Sequence, residues 1–263
     1  MGVLKGDSTI VRAEAVVFDL DDTLFDKTLW LIPAIEYAAR KMGYDYIRVG
    51  ELAYAYVAER GCADAGIYNA VLEGCGQSDS AINIRAFAAW VNQYVPKESS
   101  ISLHPGALEA LIDMQRRYKL GVIADGPVLS QRAKIRGLGL EPLLGSVVYS
   151  DEIEGIRSRK PDPRPFRLAL AELKCRPEQA VFVGDNPIKD FIGASTLGMH
   201  TVRVLTGEYG KMDYPTPEHA ADYQVSSVAR LPQLLAHPPS SHAYVEQAAE
   251  ARVPSKQDLR RVT

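Results

Sequence analysis

Ala15-Val16-Val17-Phe18-Asp19-Leu20-Asp21, AVVFDLD at positions 15–21, is an apolar run that ends abruptly in acids. An uninterrupted apolar strand suits burial on both faces, and its C-terminal end delivers side chains to the sheet edge where α/β proteins bind ligands. Similar runs recur as KLGVIAD at Lys119–Asp125, SVVYS at Ser146–Ser150, AVFVGD at Ala180–Asp185 and HTVRVL at His200–Leu205. Each reads as a core strand. Helical spacing separates them: Leu108, Leu111 and Ile112 follow Pro105, and Ile188, Phe191 and Ile192 follow Pro187. Strands alternating with helices predict an α/β fold with a doubly wound, Rossmann-like parallel sheet. The acids Asp19/Asp21, Asp125 and Asp185 then converge at one sheet end.

Between the first two strands lie about 75 residues, far more than a crossover connection needs. This segment is expected to be an inserted α-helical cap domain. Pro33 can open a helix whose stripe is Ile35, Ala38, Ala39 and Met42, with Gly43 closing it. Further helices are expected near Glu51–Arg60, Asp64–Glu73 and Ser80–Tyr94, with turns at Gly61 and Gly74–Gly76. The domain expectation is therefore a core over 10–26 and 97–236, a helical cap over 27–96, and a flexible tail over 237–263, where HPPSSHAYVEQAAEARVPSKQDLRRVT lacks apolar periodicity.

Charge narrows the partners. With 30 Lys+Arg against 33 Asp+Glu, a net charge of −3, the chain has no global basic field for nucleic acid or an acidic membrane. No apolar run approaches the roughly 20 residues of a membrane span, and the N-terminus lacks a signal-peptide core. Cys62, Cys75 and Cys175 have neither CxxC spacing nor a clustered histidine, so reduced thiols in a cytoplasmic protein are expected, without zinc or disulfides. No Walker loop or GxGxxG accompanies the strands, so neither ATP nor NAD is implied.

The residues that carry chemistry are Asp19-Leu20-Asp21-Asp22-Thr23, then Lys160 in RKPDP, then Gly184-Asp185 with Asp190 five positions on. Carboxylates crowded at one sheet end repel one another and call for a hard cation such as Mg²⁺. Alternation along the strand is expected to separate Asp19 from Asp21, leaving Asp19 as nucleophile and Asp21 as general acid/base. Lys160 can neutralise the nucleophile and a bound phosphate.

In these motifs, in this order, the chain resembles the haloacid dehalogenase (HAD) superfamily of phosphohydrolases, in its phosphoglycolate phosphatase-like branch with a helical cap after the first motif. The resemblance covers about Ala15 to Leu235. It implies that Asp19 is nucleophile and Mg²⁺ ligand, and that Asp21 protonates the leaving group, activates water and binds Mg²⁺ through its backbone carbonyl. It further implies that Lys160 holds phosphate and nucleophile, that Asp185 ligates the metal, and that Asp190 supports the metal shell. An acid at Asp21 favours a phosphatase over a dehalogenase, since a halide leaving group needs no proton. The implied substrate is a small phosphorylated metabolite.

The chain departs from the family at Val122-Ile123-Ala124-Asp125-Gly126, where Ala124 stands at the position of a Thr or Ser whose hydroxyl binds phosphate. Losing one charge-assisted contact removes roughly 1.5–3 kcal/mol, or about 10–10²-fold in rate. The backbone N–H groups of Asp125 and Gly126 remain to hold phosphate beside Ala124. Besides the phosphatase, the sequence leaves open a phosphomutase with the same acids and a catalytically weakened binding protein. Asp22 reads as a loop acid, Thr23 as a local turn former, Asp26 as a helix cap, and Arg157, Arg159, Arg164 and Arg167 as a solvated basic face. Oligomeric state is not legible.

Overall fold

A computed structural model describes residues 13–97 and 100–237. Six parallel strands form one sheet: β1 (Ala15–Phe18), β2 (Lys119–Ala124), β3 (Ser146–Tyr149), β4 (Ala180–Gly184), β5 (His200–Val204) and β6 (Tyr223–Val225), in the order β3-β2-β1-β4-β5-β6. The strands run in register, with Phe18 opposite Val122 on one side and Val183 on the other. The order reverses direction between β1 and β4, and such a switch point leaves a crevice beyond the strand ends. Asp19 and Asp185 stand at that crevice.

The apolar runs become strands because both faces are covered. Val16 and Phe18 of β1, Val122 of β2 and Val183 of β4 pack on one face, against α5 (Ala107–Gln115), α6 (Val128–Gly137) and α10 (Leu231–Ala236). Ala15, Val17, Ile123 and Phe182 pack on the other, against α8 (Arg164–Leu173) and α9 (Phe191–Leu197). Phe166 of α8 meets Phe182 edge-on, with ring centroids 4.9 Å apart, and burying each such ring contributes about 1.5–3 kcal/mol. The short α7 (Asp151–Glu154) follows β3.

The segment between β1 and β2 folds as α1 (Thr28–Lys41), α2 (Tyr46–Arg60), α3 (Ile67–Gly74) and α4 (Ala81–Val91), followed by α5. Local chemistry explains the boundaries. Asp45 accepts hydrogen bonds from the Ile47 and Arg48 amides at 3.1 Å each, and Ser80 accepts one from Asn83 at 3.3 Å, as N-caps do. Gly43, at φ 74°, follows α1 in the left-handed region that a residue with a Cβ rarely enters.

Several expectations are corrected. Pro33 lies inside α1 rather than opening it, because the helix starts at Thr28, whose amide and hydroxyl both donate to Asp26 Oδ1. Ile35, Ala38 and Ala39 are buried as the stripe requires. On α5 the buried side is Ala107, Ala110, Leu111 and Met114, while Leu108 and Ile112 are 45% and 42% exposed. Ala107 and Ala110 allow a close approach beside the buried Leu111 and Met114. Ile188 is likewise exposed in the turn before α9. The strand β6 has no counterpart in the sequence reading, since three residues carry too short an apolar signal. The expected tail beyond His237, together with positions 10–12 and 98–99, lies outside the described residues. No described helix is long and apolar enough to cross a membrane.

Candidate active site

Asp19 follows β1, and its amide donates to the Val183 carbonyl at 2.8 Å, which ties the residue to β4. Asp185 follows β4, and Asp190 lies one turn further along, where its Oδ2 accepts the Asn186 amide at 2.9 Å. All three acids are buried, and one oxygen from each lies within 4.8 Å of the others. Gly184 makes the approach possible: a Cβ there would meet the Asp190 carboxylate at 2.5 Å. Thr23, expected to shape its own turn, instead donates its hydroxyl to Asp185 Oδ1 at 3.0 Å, across 162 positions, and so joins the first motif to the last.

Lys160 is the principal cation in this pocket. Its Nζ pairs with Asp19 Oδ1 and lies 3.0 Å from Asp190 Oδ1 and 3.9 Å from Asp125 Oδ2. Burial pulls the lysine towards neutrality, but Asp19 and Asp190 outweigh it and raise its pKa. Burial raises the Asp19 pKa against the pull of Lys160 and Lys189. Asp185 is held well above the ordinary carboxylate range by burial and then by Asp190 and Asp19. Its Oδ2 is buried without a hydrogen-bond partner. Three clustered carboxylates with an orphaned oxygen fit a divalent, oxygen-seeking cation.

Asp21 occupies a different setting. β1 ends at Phe18, so strand alternation does not separate Asp21 from Asp19; the chain has already turned, and Asp21 bridges Phe25 instead. Its carboxylate is held by Lys134 Nζ, 2.7 and 2.9 Å from the two oxygens, and by Gln131 Nε2 at 3.3 Å. Burial opposes ionisation there, but the charges of Lys134 and Lys27 prevail and lower the Asp21 pKa. Sequence reasoning missed Lys134 and Gln131, and the pattern that marks them emerges only from the burial of α6. In VLSQRAKIRG the helix α6 buries Ser130, Gln131 and Lys134 while leaving Leu129 67% exposed, an inverted amphipathic pattern. Such inversion marks a helix face that serves a site rather than a core.

Ala124 ends β2 with 1% exposure and brings no hydroxyl. The Asp125 side chain is a scaffold: Oδ1 accepts Ser150 Oγ at 2.7 Å and the Lys160 amide at 3.2 Å, while Oδ2 faces Lys189 Nζ at 3.4 Å. Lys189, also unforeseen, lies 3.8 Å from Asp19 Oδ1. At Gly126, with φ 128°, a Cβ would strike Gln131 Nε2 at 2.8 Å.

Between the core and helices α1 to α4 is a cavity of about 260 Å³, walled by Asp21, Lys27, Tyr68, Asn92, Gly126 and Arg159 among others. Asp22 is buried at φ 61° and accepts the Lys27 amide at 3.0 Å. Burial raises its pKa to about 6. Beside it, Glu208 Oε2 accepts the Cys62 and Ala63 amides at 2.9 and 3.0 Å and so joins the loop after β5 to the loop after α2. Burial and Asp22 push the Cys62 thiol upwards, away from nucleophilic use. Of the supposed basic face, Arg159 instead pairs with both Asp151 oxygens at 2.7 Å and lines the cavity.

Similarity searches agree with this geometry. The family model for haloacid dehalogenase-like hydrolases matches residues 16–204. A glyceraldehyde 3-phosphate phosphatase from Pyrococcus furiosus is 32% identical over 85% of this chain and 92% of that protein. A phosphoserine phosphatase from Thermus thermophilus is 30% identical over 81% and 95%. Among solved structures, the HAD-hydrolase YfnB from Bacillus subtilis, bound to magnesium, covers 86% of this chain and 99% of its own with a TM-score of 0.62 at 18% identity, a likeness of fold. The chain belongs to the haloacid dehalogenase-like hydrolase family.

Proposed function

We propose that the chain is a Mg²⁺-dependent phosphatase that hydrolyses a small phosphomonoester through a phosphorylated Asp19. The observation that carries this reading is the division of labour between two nearby carboxylates. Asp19 is buried against Lys160 beside Asp185 and Asp190, whereas Asp21 is turned away and held by Lys134. The names of the P. furiosus and T. thermophilus relatives also support phosphate-ester hydrolysis.

Asp19, the Asp21 carbonyl, Asp185 and Asp190 would hold the cation, whose chemistry is to screen the repulsion between a carboxylate nucleophile and a phosphate dianion. Asp19 attacks phosphorus as the ester P–O bond breaks, and the leaving oxygen takes a proton from Asp21. Asp21, now a carboxylate, takes a proton from water; the resulting hydroxide attacks phosphorus and Asp19 is released. The ion pair with Lys134 favours the ionised Asp21 that this second step requires. Lys160 and the amides of Asp125 and Gly126 bind the phosphate oxygens. Lys189 adds a second positive charge near Asp19, where Ala124 offers no hydroxyl. Three free cysteines are consistent with the reducing cytoplasm as the compartment.

A panel of phosphomonoesters with Mg²⁺, run beside Asp19→Asn and with chelator, tests the proposal. Phosphate release that requires both the metal and Asp19 is the expected result. Turnover that survives Asp19→Asn or chelation overturns the mechanism, and an isomeric phosphate as product would indicate a mutase.

A further inference from the structure

Apart from the Asp19 cluster, a second set of metal-ligating side chains meets where helices α1 to α4 adjoin the core. Asp22 comes from the loop after β1, Cys62 from the loop between α2 and α3, and Glu208 from the loop after β5, and one ligand atom from each lies within 4.8 Å of the others. Cys62 Sγ stands 3.5 Å from Asp22 Oδ2 and 3.2 Å from Glu208 Oε2. A thiol carries one hydrogen, so it can serve only one of these two oxygens. Glu208 Oε2 is the closer, and it also accepts the Cys62 and Ala63 amides. Asp22 Oδ2, on a side chain only 5% exposed and with no other donor among the described residues, is then left facing the sulfur with no proton between them. A buried carboxylate oxygen in that position is costly. Among the described residues no lysine or arginine nitrogen lies within 4.0 Å of either carboxylate, and Lys27 supplies only a more distant positive charge.

We propose that Asp22, Cys62 and Glu208 form a second cation site, for Zn²⁺, that clasps the helical segment to the core. A tetrahedral zinc with sulfur at about 2.3 Å and oxygen at about 2.1 Å sets its ligand atoms roughly 3.4–3.6 Å apart. The sulfur already keeps that spacing to Asp22, and to Glu208 within a few tenths of an ångström. As the metal binds, the thiol proton leaves to solvent and the cation replaces the one hydrogen that cannot serve both acids. The thiolate distinguishes this site from the all-carboxylate cluster at Asp19, because Mg²⁺ takes oxygen ligands whereas zinc accepts sulfur. Three protein ligands leave the fourth position to water, in a cavity of about 300 Å³ that His104 and Gly207 also line. Glu208 is exposed and gives the ion a way in, while the two amides hold its carboxylate in place, as outer-shell partners of metal ligands do. Sequence spacing predicted no zinc because the two carboxylates lie 40 and 146 positions from Cys62.

Co²⁺, the spectroscopic substitute for Zn²⁺, tests the site in the full chain with Mg²⁺ in excess. The expected result is one bound Co²⁺ with a thiolate-to-metal charge-transfer band, displaced by Zn²⁺. Cys62→Ser should abolish the band, whereas Cys75→Ser and Cys175→Ser should keep it. Glu208→Gln retains an oxygen for the two amides but loses the charge, and should weaken Zn²⁺ binding roughly 10-fold or more. Zn²⁺ should also raise the thermal midpoint of the wild type by more than that of Cys62→Ser. A wild type without the band, a band that survives Cys62→Ser, or a Zn²⁺ affinity unchanged by Glu208→Gln overturns the proposal. Should Cys62→Ser lose the circular dichroism of the folded chain, Glu208→Gln, on an exposed side chain, decides by its Zn²⁺ affinity alone. None of these readouts involves turnover, so the site is judged separately from the phosphatase reading.

Discussion

The Lys134 ammonium contacts both carboxylate oxygens of Asp21, at 2.7 and 2.9 Å, from 113 positions away in the chain. The lysine side chain is only 2% exposed, so the pair is shielded from the solvent screening that weakens surface ion pairs. Its position draws Asp21 away from Asp19 and holds it at the wall of the cavity, where the proposed mechanism puts the leaving group.

Lys134→Met therefore has an effect that depends on the leaving group. An alkyl phosphate needs a well-placed proton donor, and general acid catalysis contributes about 10²–10⁴-fold. Losing only the positioning of Asp21 should lower kcat on alkyl phosphates by roughly 10- to 100-fold. p-Nitrophenyl phosphate, whose leaving group needs little protonation, should lose less than about threefold. Steady-state kinetics on both esters reads the difference; a uniform loss would assign Lys134 to structure alone.

Gly184→Ala probes the acidic cluster from behind. The added Cβ would stand 2.5 Å from Asp190 Oδ2 and 2.7 Å from Cγ, so the carboxylate must move. Activation by Mg²⁺ should then require roughly 10-fold more metal, as when groups that orient ligands are lost, while circular dichroism remains that of the folded wild type. An unchanged Mg²⁺ titration would remove Asp190 from the metal shell.

The strands and the acids at their ends were legible because long apolar runs delimit both: AVVFDLD and AVFVGD become β1 and β4, with Asp19 and Asp185 beyond them. What was not legible depends on long-range contacts. Thr23 meets Asp185 across 162 positions, a link no local pattern records. Lys134 was hidden because a lysine on a helix is ordinarily solvated, and only the exposure of Leu129 reveals that α6 is inverted. On α5 the expected stripe was right only at Leu111, which is buried, while Leu108 and Ile112 face solvent, since hydrophobic size alone does not determine which side of a helix a tightly packed sheet accepts.

Asp22 gives stability a predictable pH dependence. Burial raises its pKa from 3.8 to about 6, so between these values the folded chain binds more protons than the unfolded one. Stability from this group is therefore full below about pH 4 and falls as pH rises through 6, a loss of about 3 kcal/mol. Asp22→Asn removes the charge, keeps an oxygen for the Lys27 amide, and suits φ 61° because asparagine tolerates the left-handed region. Its midpoint in urea should exceed that of wild type at pH 8, with the advantage vanishing near pH 4. A constant difference across pH would show that Asp22 is not the titrating group.

Ala124→Thr tests the one motif position that departs from the family. Ala124 ends β2 next to the Asp125 and Gly126 amides, so a hydroxyl introduced there stands at the sheet end where the proposed mechanism binds phosphate. If the missing contact is a simple deficit, its return supplies roughly 1.5–3 kcal/mol to the transition state, and kcat/KM on generic phosphate esters rises about 10- to 100-fold. The gain should appear in kcat rather than KM, because a donor to the transferring phosphoryl oxygens strengthens as charge redistributes. Lys189, 3.8 Å from Asp19 Oδ1, gives a way to detect substitution of one group for the other. If its charge compensates for the absent hydroxyl, Lys189→Met should cost less activity in the Ala124→Thr background than in wild type. Additive effects in that double-mutant cycle would show that Lys189 and residue 124 act on the phosphate independently.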